Sequence, residues 1–158
     1  MSAVGRGLTG ALVLALAWLG SAHAAELSPH RALYEIELAT VRGSSDITAL
    51  SGRMVLEWAD ACDGWTVNQK VKMNFTSREG PELENEFSFS SFESKSGDNF
   101  HFTMRSLANG SPFEEFVGVA TRQSAGTVAR FSEPPDEKLS LPRDTLFPTE
   151  HLFVLVEG

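Results

Sequence analysis

Apolar and polar side chains alternate along most of this chain, and this alternation restricts its fold more than any other feature. The clearest alternating segment carries its apolar residues at Trp65, Val67, Val71, Met73 and Phe75. Lysine, asparagine and threonine stand between them. A period of two is typical of a β-strand with one face on a core and the other face in water. The pattern therefore predicts an all-β protein.

Turn signals separate the alternating segments at regular intervals. Asp63-Gly64 and Asn109-Gly110 are typical of tight hairpins, because glycine accepts a positive φ at no steric cost. Short links favour antiparallel pairing between strands that are neighbours in the sequence. We predict a mainly antiparallel meander of about seven strands, with a loop at residues 42–51 after the first strand.

The pattern changes after Ser132, where prolines at positions 134, 135, 142 and 148 interrupt it. We predict an irregular stretch there, followed by a short helix with Thr149 as its N-cap and Glu150 in its first turn. That helix is only about ten residues long and needs packing against the sheet to be stable. Because the sequence stops inside it, we expect an incomplete domain, with residues 25–158 as the N-terminal portion of a single β domain.

The first residues have the three parts of a signal peptide. Arg6 provides the positive start, residues 8–19 form an apolar run, and Ala22-His23-Ala24 offers the small residues of a cleavage site. We predict a signal peptide at residues 1–24. The apolar run is too short to cross the roughly 30 Å hydrocarbon core of a bilayer as a helix. We therefore expect a periplasmic protein without a membrane span after cleavage.

The net charge and the absence of known motifs argue against several classes of function. The formal net charge of −8 repels a phosphate backbone, so we expect no nucleic-acid partner. The histidines have no Cys, His or carboxylate at the spacing of metal ligands, and the nucleophile and phosphate-binding motifs are absent. We therefore predict a protein without enzymatic activity, metal or cofactor.

Cys62 is the one cysteine of the chain. A lone thiol is unusual in an oxidising compartment. Three roles are open: a buried thiol, an intermolecular bridge, or half of a disulfide whose other half is missing from this chain. The neighbouring Asp60 and Asp63 disfavour a reactive thiolate, which favours a structural bridge over a nucleophile.

Five phenylalanines on successive predicted strands are the strongest positive indication of a binding surface. They are Phe75, Phe87, Phe89, Phe100 and Phe102. Cross-strand neighbours on one face of a sheet pack against each other. Two interpretations are open: an ordinary hydrophobic core, or a concave apolar surface that holds a lipid, a lipidated protein or a partner helix.

Four short segments carry a family resemblance. They are His30-Arg31-Ala32-Leu33-Tyr34, Ala61-Cys62-Asp63-Gly64-Trp65, Asn85-Glu86-Phe87 and Leu146-Phe147-Pro148-Thr149. Together they resemble the EipB family of periplasmic cell-envelope-integrity proteins of alphaproteobacteria. The resemblance covers the whole predicted mature chain, in order, and matches the N-terminal half of the family or slightly more. Its most specific part surrounds Cys62.

The resemblance implies a β-spiral or broken barrel of antiparallel strands around a packed helix. It also implies a disulfide from Cys62 to a cysteine near the family's C-terminus, which this chain does not contain. The implied role is envelope maintenance with a periplasmic tetratricopeptide-repeat partner, and no enzymatic activity is established for the family. We therefore predict a non-enzymatic protein that supports envelope integrity through protein–protein contact. The alternative is a carrier that binds a lipid or lipoprotein acyl chain in the aromatic concavity.

Overall fold

The computed structural model describes residues 28–43 and 45–157. The predicted signal peptide at residues 1–24 lies outside them. The described chain forms eight β-strands followed by one helix. The strands are β1 (His30–Glu37), β2 (Ile47–Asp60), β3 (Gly64–Ser77), β4 (Leu83–Ser94), β5 (Asn99–Ala108), β6 (Ser111–Gln123), β7 (Gly126–Glu133) and β8 (Lys138–Leu141), and the helix is α1 (Pro148–Glu157).

All eight strands belong to one antiparallel sheet, in which each strand pairs with its neighbours in the sequence. Strands β1 and β8 are its two edges, so the described sheet is not closed. The predicted antiparallel meander is confirmed, with eight strands instead of about seven. Asn109 and Gly110 have φ values of 51° and 74°, which is the conformation that their hairpin signal predicts.

Two strand boundaries differ from the sequence-based prediction. β8 lies within the stretch predicted to be irregular, because the two prolines after Glu133 fall in the turn before it, where the sheet needs no amide from them. The amide of Phe131 donates to the carbonyl of Glu137 at 3.0 Å and continues the pairing towards β8. β2 begins at Ile47, inside the predicted loop, because its first residues pair with the Ser77 end of β3 across a bulge.

Helix α1 begins at Pro148, so the prediction of Thr149 as its N-cap is wrong. Proline suits the first helical position, because its fixed φ matches the helix and its missing N–H would have had no partner there. The N-cap position falls to Phe147, whose carbonyl accepts a hydrogen bond from the amide of His151 at 2.8 Å. In the part of the chain that the structure describes, no helix has both the length and the apolar character needed to cross a bilayer.

The register of the strands separates the sheet into two faces. Residues that stand directly opposite each other point to the same side. We call the side on which α1 packs the inner face, and the other side the outer face. One row of the inner face runs through Trp65, Glu93, Phe100, Ala120 and Ala129. The two alanines form the buried core together with Phe147, the residue before α1.

Candidate functional site

The five phenylalanines predicted to share one face all lie on the inner face. They differ in their positions along the strands, from the helix end of the sheet to its opposite end. Phe100 stands opposite Glu93 and stacks on Phe147, the residue before α1, and Phe102 stacks on Phe100. Phe75 stands opposite Leu83 at the other end of the sheet, and Phe87 and Phe89 lie between these ends. Whether a phenylalanine packs in the core or lines an open surface therefore depends on its distance from the helix.

At the helix end, the inner-face aromatic rings form the core. Phe100 stacks on Phe102 and on Phe147, with ring centroids 5.6 and 5.5 Å apart. Phe131 meets Phe102 edge to face at 5.5 Å. Because Phe147 is only 3% exposed, this end of the aromatic face is filled by the protein itself. The core interpretation therefore fits Phe100 and Phe102.

Helix α1 packs on two tryptophans of the inner face. The sequence-based predictions did not assign these tryptophans to a site. Trp58 and Trp65 stack with ring centroids 4.5 Å apart. Phe153 of α1 lies 6.5 Å from the first ring and 5.7 Å from the second. The sequence contains a signal for this pair, since both tryptophans alternate with polar residues and flank one hairpin turn. Such neighbours meet across the hairpin.

A buried carboxylate holds the N-terminus of α1 on the sheet. Glu93 of β4 is 3% exposed, and its two carboxylate oxygens accept hydrogen bonds from the amides of Thr149 at 2.7 Å and Glu150 at 2.8 Å. These amides have no partner within the helix. The positive end of the helix dipole also stabilises the negative charge. Glu93 therefore caps the N-terminus of α1, although it belongs to a strand far away in the sequence.

Sequence reasoning missed Glu93, although the alternation of β4 contains the signal. Phe87 and Phe89 point inward, so residue 93, which lies an even number of positions further along, points inward too. A carboxylate among inward apolar residues needs hydrogen-bond donors or a cation. The sequence does not identify those donors, because they belong to a helix far along the chain.

An ion pair is the second polar connection between the sheet and α1. The guanidinium of Arg122 on β6 donates to the carboxylate of Glu150 at 2.6 Å and to the carbonyl of Thr145 at 3.0 Å. The hydrogen bond from Arg122 is the main cause that lowers the pKa of Glu150 below its ordinary value. The same hydrogen bond raises the pKa of Arg122. Both partners are therefore charged at neutral pH.

The other end of the inner face is open. A cleft of about 570 Å³ is lined there by Ile47, Met73, Phe75, Ser77, Gly80, Pro81, Leu83 and Asn85. Leu83 is 43% exposed and Ile47 is 37% exposed. An uncovered apolar cleft of this size can accept an apolar ligand. The binding-surface interpretation therefore fits Phe75 better than the core interpretation does.

Cys62 occupies the turn between β2 and β3, where its side chain is exposed. The alternative of a buried thiol is therefore wrong. Cys62 has a φ of 63°, and its amide donates to the carboxylate of Asp60 at 2.9 Å. Asp60 also binds the ammonium of Lys95 at 2.7 Å, and this hydrogen bond is the main cause that lowers its pKa. A disulfide at Cys62 stays a prediction.

Side chains of the type that bind metal ions are dispersed over the fold. Within residues 28–43 and 45–157, no group of three or more His, Cys, Asp or Glu is arranged to hold a metal ion. His101 lies on the outer face, where its ring meets the edge of Phe92 at 6.1 Å. The inner face carries mainly apolar side chains and two polar connections to the helix, through Glu93 and Arg122.

These features define a class of protein: an open, barrel-like antiparallel sheet with one helix capped and packed on its inner face. The chain belongs to the EipB-like family, whose sequence profile matches residues 21–158. The resemblance that the four sequence segments predicted is confirmed.

Two relatives from Brucella abortus show how far the similarity extends. The chain is 32% identical over 137 residues to the cell envelope integrity protein EipB of strain 2308, a match that covers 86% of this chain and 49% of the relative. The crystal structure of a β-barrel-like protein with a domain of unknown function matches with a TM-score of 0.77 and 32% identity. That match covers 82% of this chain and 54% of the other. The chain therefore spans about half the length of both relatives.

Replacing Glu93 with alanine leaves two helix amides without their acceptor. We expect the free energy of unfolding to fall by about 2–3 kcal/mol, because a lost helix cap and unsatisfied buried donors each cost about this order. Urea denaturation followed by circular dichroism measures the change. The matched control is Glu86→Ala on the outer face of the same strand, since its exposed ion pair with Lys72 contributes far less. Equal losses in the two variants would contradict the role of Glu93.

The Arg122–Glu150 ion pair should make stability depend on acid pH. The pKa of Glu150 in the folded protein lies below its ordinary value of 4.5. The pair therefore contributes its full stability above that pH and loses it as the pH falls through the lower folded-state pKa. Between about pH 6 and pH 3, we expect the thermal midpoint of Glu150→Gln to fall less than that of the unchanged protein. Glu79→Gln, in an exposed loop, is the control. Identical pH profiles for all three proteins would show that the pair does not stabilise the fold.

Proposed function

We propose that this chain acts as a periplasmic, non-enzymatic protein that supports cell-envelope integrity through contact with another protein. The observation that carries the proposal is the outward side of α1. Leu152, Val154, Leu155 and Val156 are 44, 51, 63 and 42% exposed. Phe153, in contrast, packs on the tryptophans of the inner face. Adjacent exposed apolar side chains on a docked helix are typical of a surface that binds another protein.

The family supports the envelope role. The Brucella relative is named for cell envelope integrity, and we extend this role to the present chain as a proposal, because the chain spans about half of that protein. The three-part pattern of residues 1–24 supports export to the periplasm. The family resemblance supports a periplasmic tetratricopeptide-repeat protein as the partner. Stacked helix pairs of such a repeat form concave surfaces, and grooves of this kind bind the apolar side of a helix.

The open cleft at Phe75 favours a second function, that of a carrier for a lipid or lipoprotein acyl chain. Its volume of about 570 Å³ is sufficient for part of an acyl chain. Met73, Phe75 and Leu83 give it an apolar lining. The cleft lies at the opposite end of the inner face from α1, so that a ligand would not displace the aromatic core.

A single charge on α1 tests the contact function. In the full-length protein, produced from its own chromosomal locus, Leu155→Asp should abolish crosslinking to the partner and sensitise cells to detergent. The Leu155 side chain is 63% exposed in the described residues, so the variant should keep its fold, and an unchanged thermal midpoint of the purified protein checks this. The matched control is Leu33→Asp on β1, where the leucine is 65% exposed. If both variants keep the crosslinked complex and normal growth on detergent, α1 is not the contact surface.

The carrier function predicts that lipid co-purifies with the protein. Met73→Lys places an ammonium group in the cleft, and burial of a charge beside an acyl chain is unfavourable. We expect mass spectrometry to detect at least about fivefold less lipid per mole of this variant. Val55→Lys on the outer face is the control and should carry the same lipid as the unchanged protein. The absence of lipid from the unchanged protein would exclude the carrier function.

A further inference from the structure

The outer face contains a second cleft, which neither the core nor the proposed functions use. It has a volume of about 600 Å³ and spans strands β4 to β7. Phe92, Val117 and Val119 give it apolar walls, and Ser90 and Thr103 add hydroxyl groups. These side chains belong to two neighbouring rows of the outer face, so the sheet itself separates this cleft from the one at Phe75.

Two cations stand together beside this cleft. Arg130 lines it, and Lys138 stands directly opposite Arg130 on β8. Like charges in directly opposite positions repel each other. Glu133 stands opposite Val117 on the same face. Among the residues that the structure describes, neither Arg130 nor Lys138 forms an ion pair with Glu133 or with any other carboxylate.

The cations at the other end of the outer face are partly paired. Three of them have carboxylate partners: Arg31 with Glu57, Arg53 with Glu35, and Lys72 with both Glu84 and Glu86. The whole chain has a formal net charge of −8. Because Arg130 and Lys138 stand directly opposite each other and neither has a carboxylate partner among the described residues, a negative charge from outside would be stabilised between them.

We propose that the outer-face cleft binds a small amphiphilic anion, a carboxylate or phosphate that carries an apolar chain. The guanidinium of Arg130 offers parallel donors that match either anionic group, and the ammonium of Lys138 adds a second positive charge.

The apolar chain of the ligand lies across the strands. Arg130, Val119, His101 and Phe92 form one row over four neighbouring strands. Neighbouring strands are about 4.8 Å apart, so the row extends about 14 Å from the anionic group to the ring of Phe92. This distance accommodates a chain of medium length, and Val119 and Phe92 provide its apolar contacts.

Calorimetric titration of the full-length protein with octyl phosphate, at concentrations at which the probe is monomeric, tests both parts of the ligand. We expect one site, with a dissociation constant at least about tenfold lower than for inorganic phosphate, which lacks the chain. The same difference is expected against octyl glucoside, which lacks the charge. Equal affinity for octyl phosphate and either control probe, or no binding of octyl phosphate, overturns the proposal.

Substitutions of exposed cations locate the site. Arg130→Gln should weaken binding of octyl phosphate at least about tenfold, and Lys138→Gln about threefold, because hydrogen bonds to charged groups are stronger than neutral ones. Arg53→Gln and Lys70→Gln, on the outer face away from the cleft, should bind normally. Equal losses in these controls would indicate unspecific charge attraction and overturn the site. A loss in Met73→Lys would place the probe in the inner cleft and overturn it as well.

Vesicle flotation distinguishes a free amphiphile from a membrane surface. We expect no more protein to float with phosphatidylglycerol and phosphatidylcholine vesicles than with phosphatidylcholine vesicles alone, while octyl phosphate binds in solution. Binding to the anionic vesicles without binding of octyl phosphate would assign the two cations to a membrane surface and overturn the cleft proposal.

Discussion

The packing of this chain depends on the carboxylate of Glu93. A helix as short as α1 is marginal by itself, and its first amides need acceptors that the helix cannot supply. Glu93 supplies them from the middle of the inner face. The helix consequently begins at one fixed place, with Phe147 on the ring of Phe100 and Phe153 on the tryptophans. The buried carboxylate and its two hydrogen bonds thus fix where the helix begins, and the aromatic contacts and the Arg122–Glu150 ion pair complete its docking on the core.

Sequence reasoning predicted what depends on neighbouring residues and missed what depends on distant ones. The period of two correctly assigned Phe75 and Phe102 to one face, because side-chain direction in a strand alternates locally. Sequence reasoning missed β8, because this strand has only four residues and follows a turn with two prolines. Its pairing with β7, which the local sequence does not show, is the main feature that identifies it as a strand. Sequence reasoning placed the helix N-cap at Thr149 because threonine is a favoured capping residue, whereas the helix begins at Pro148 and the acceptor of the Thr149 amide belongs to a strand 56 residues earlier.

The same strands present different chemistry on their two faces. Phe102 packs in the aromatic core, while the next residue, Thr103, lines the outer-face cleft. The inner face is filled near α1 and open near Phe75, and the outer face carries several ion pairs at one end and the neighbouring Arg130 and Lys138 at the other. Because adjacent residues point to opposite sides, a substitution on one face leaves the chemistry of the other largely unchanged. Two independent sites are therefore compatible with a single sheet.

Hydrogen bonds and an ion pair stabilise the turn that contains Cys62. Within the turn, the amide of Ala61 donates to the carbonyl of Gly64 at 2.9 Å, and the side chain of Asp60 accepts from the amide of Cys62. From the next hairpin, Lys95 binds both the carbonyl of Asp63 and the carboxylate of Asp60. These hydrogen bonds preorganise the backbone of Cys62, so a covalent bond formed there loses little chain entropy from ordering the turn. An exposed sulfur on such a turn is accessible only from the solvent side, which restricts its partners by geometry.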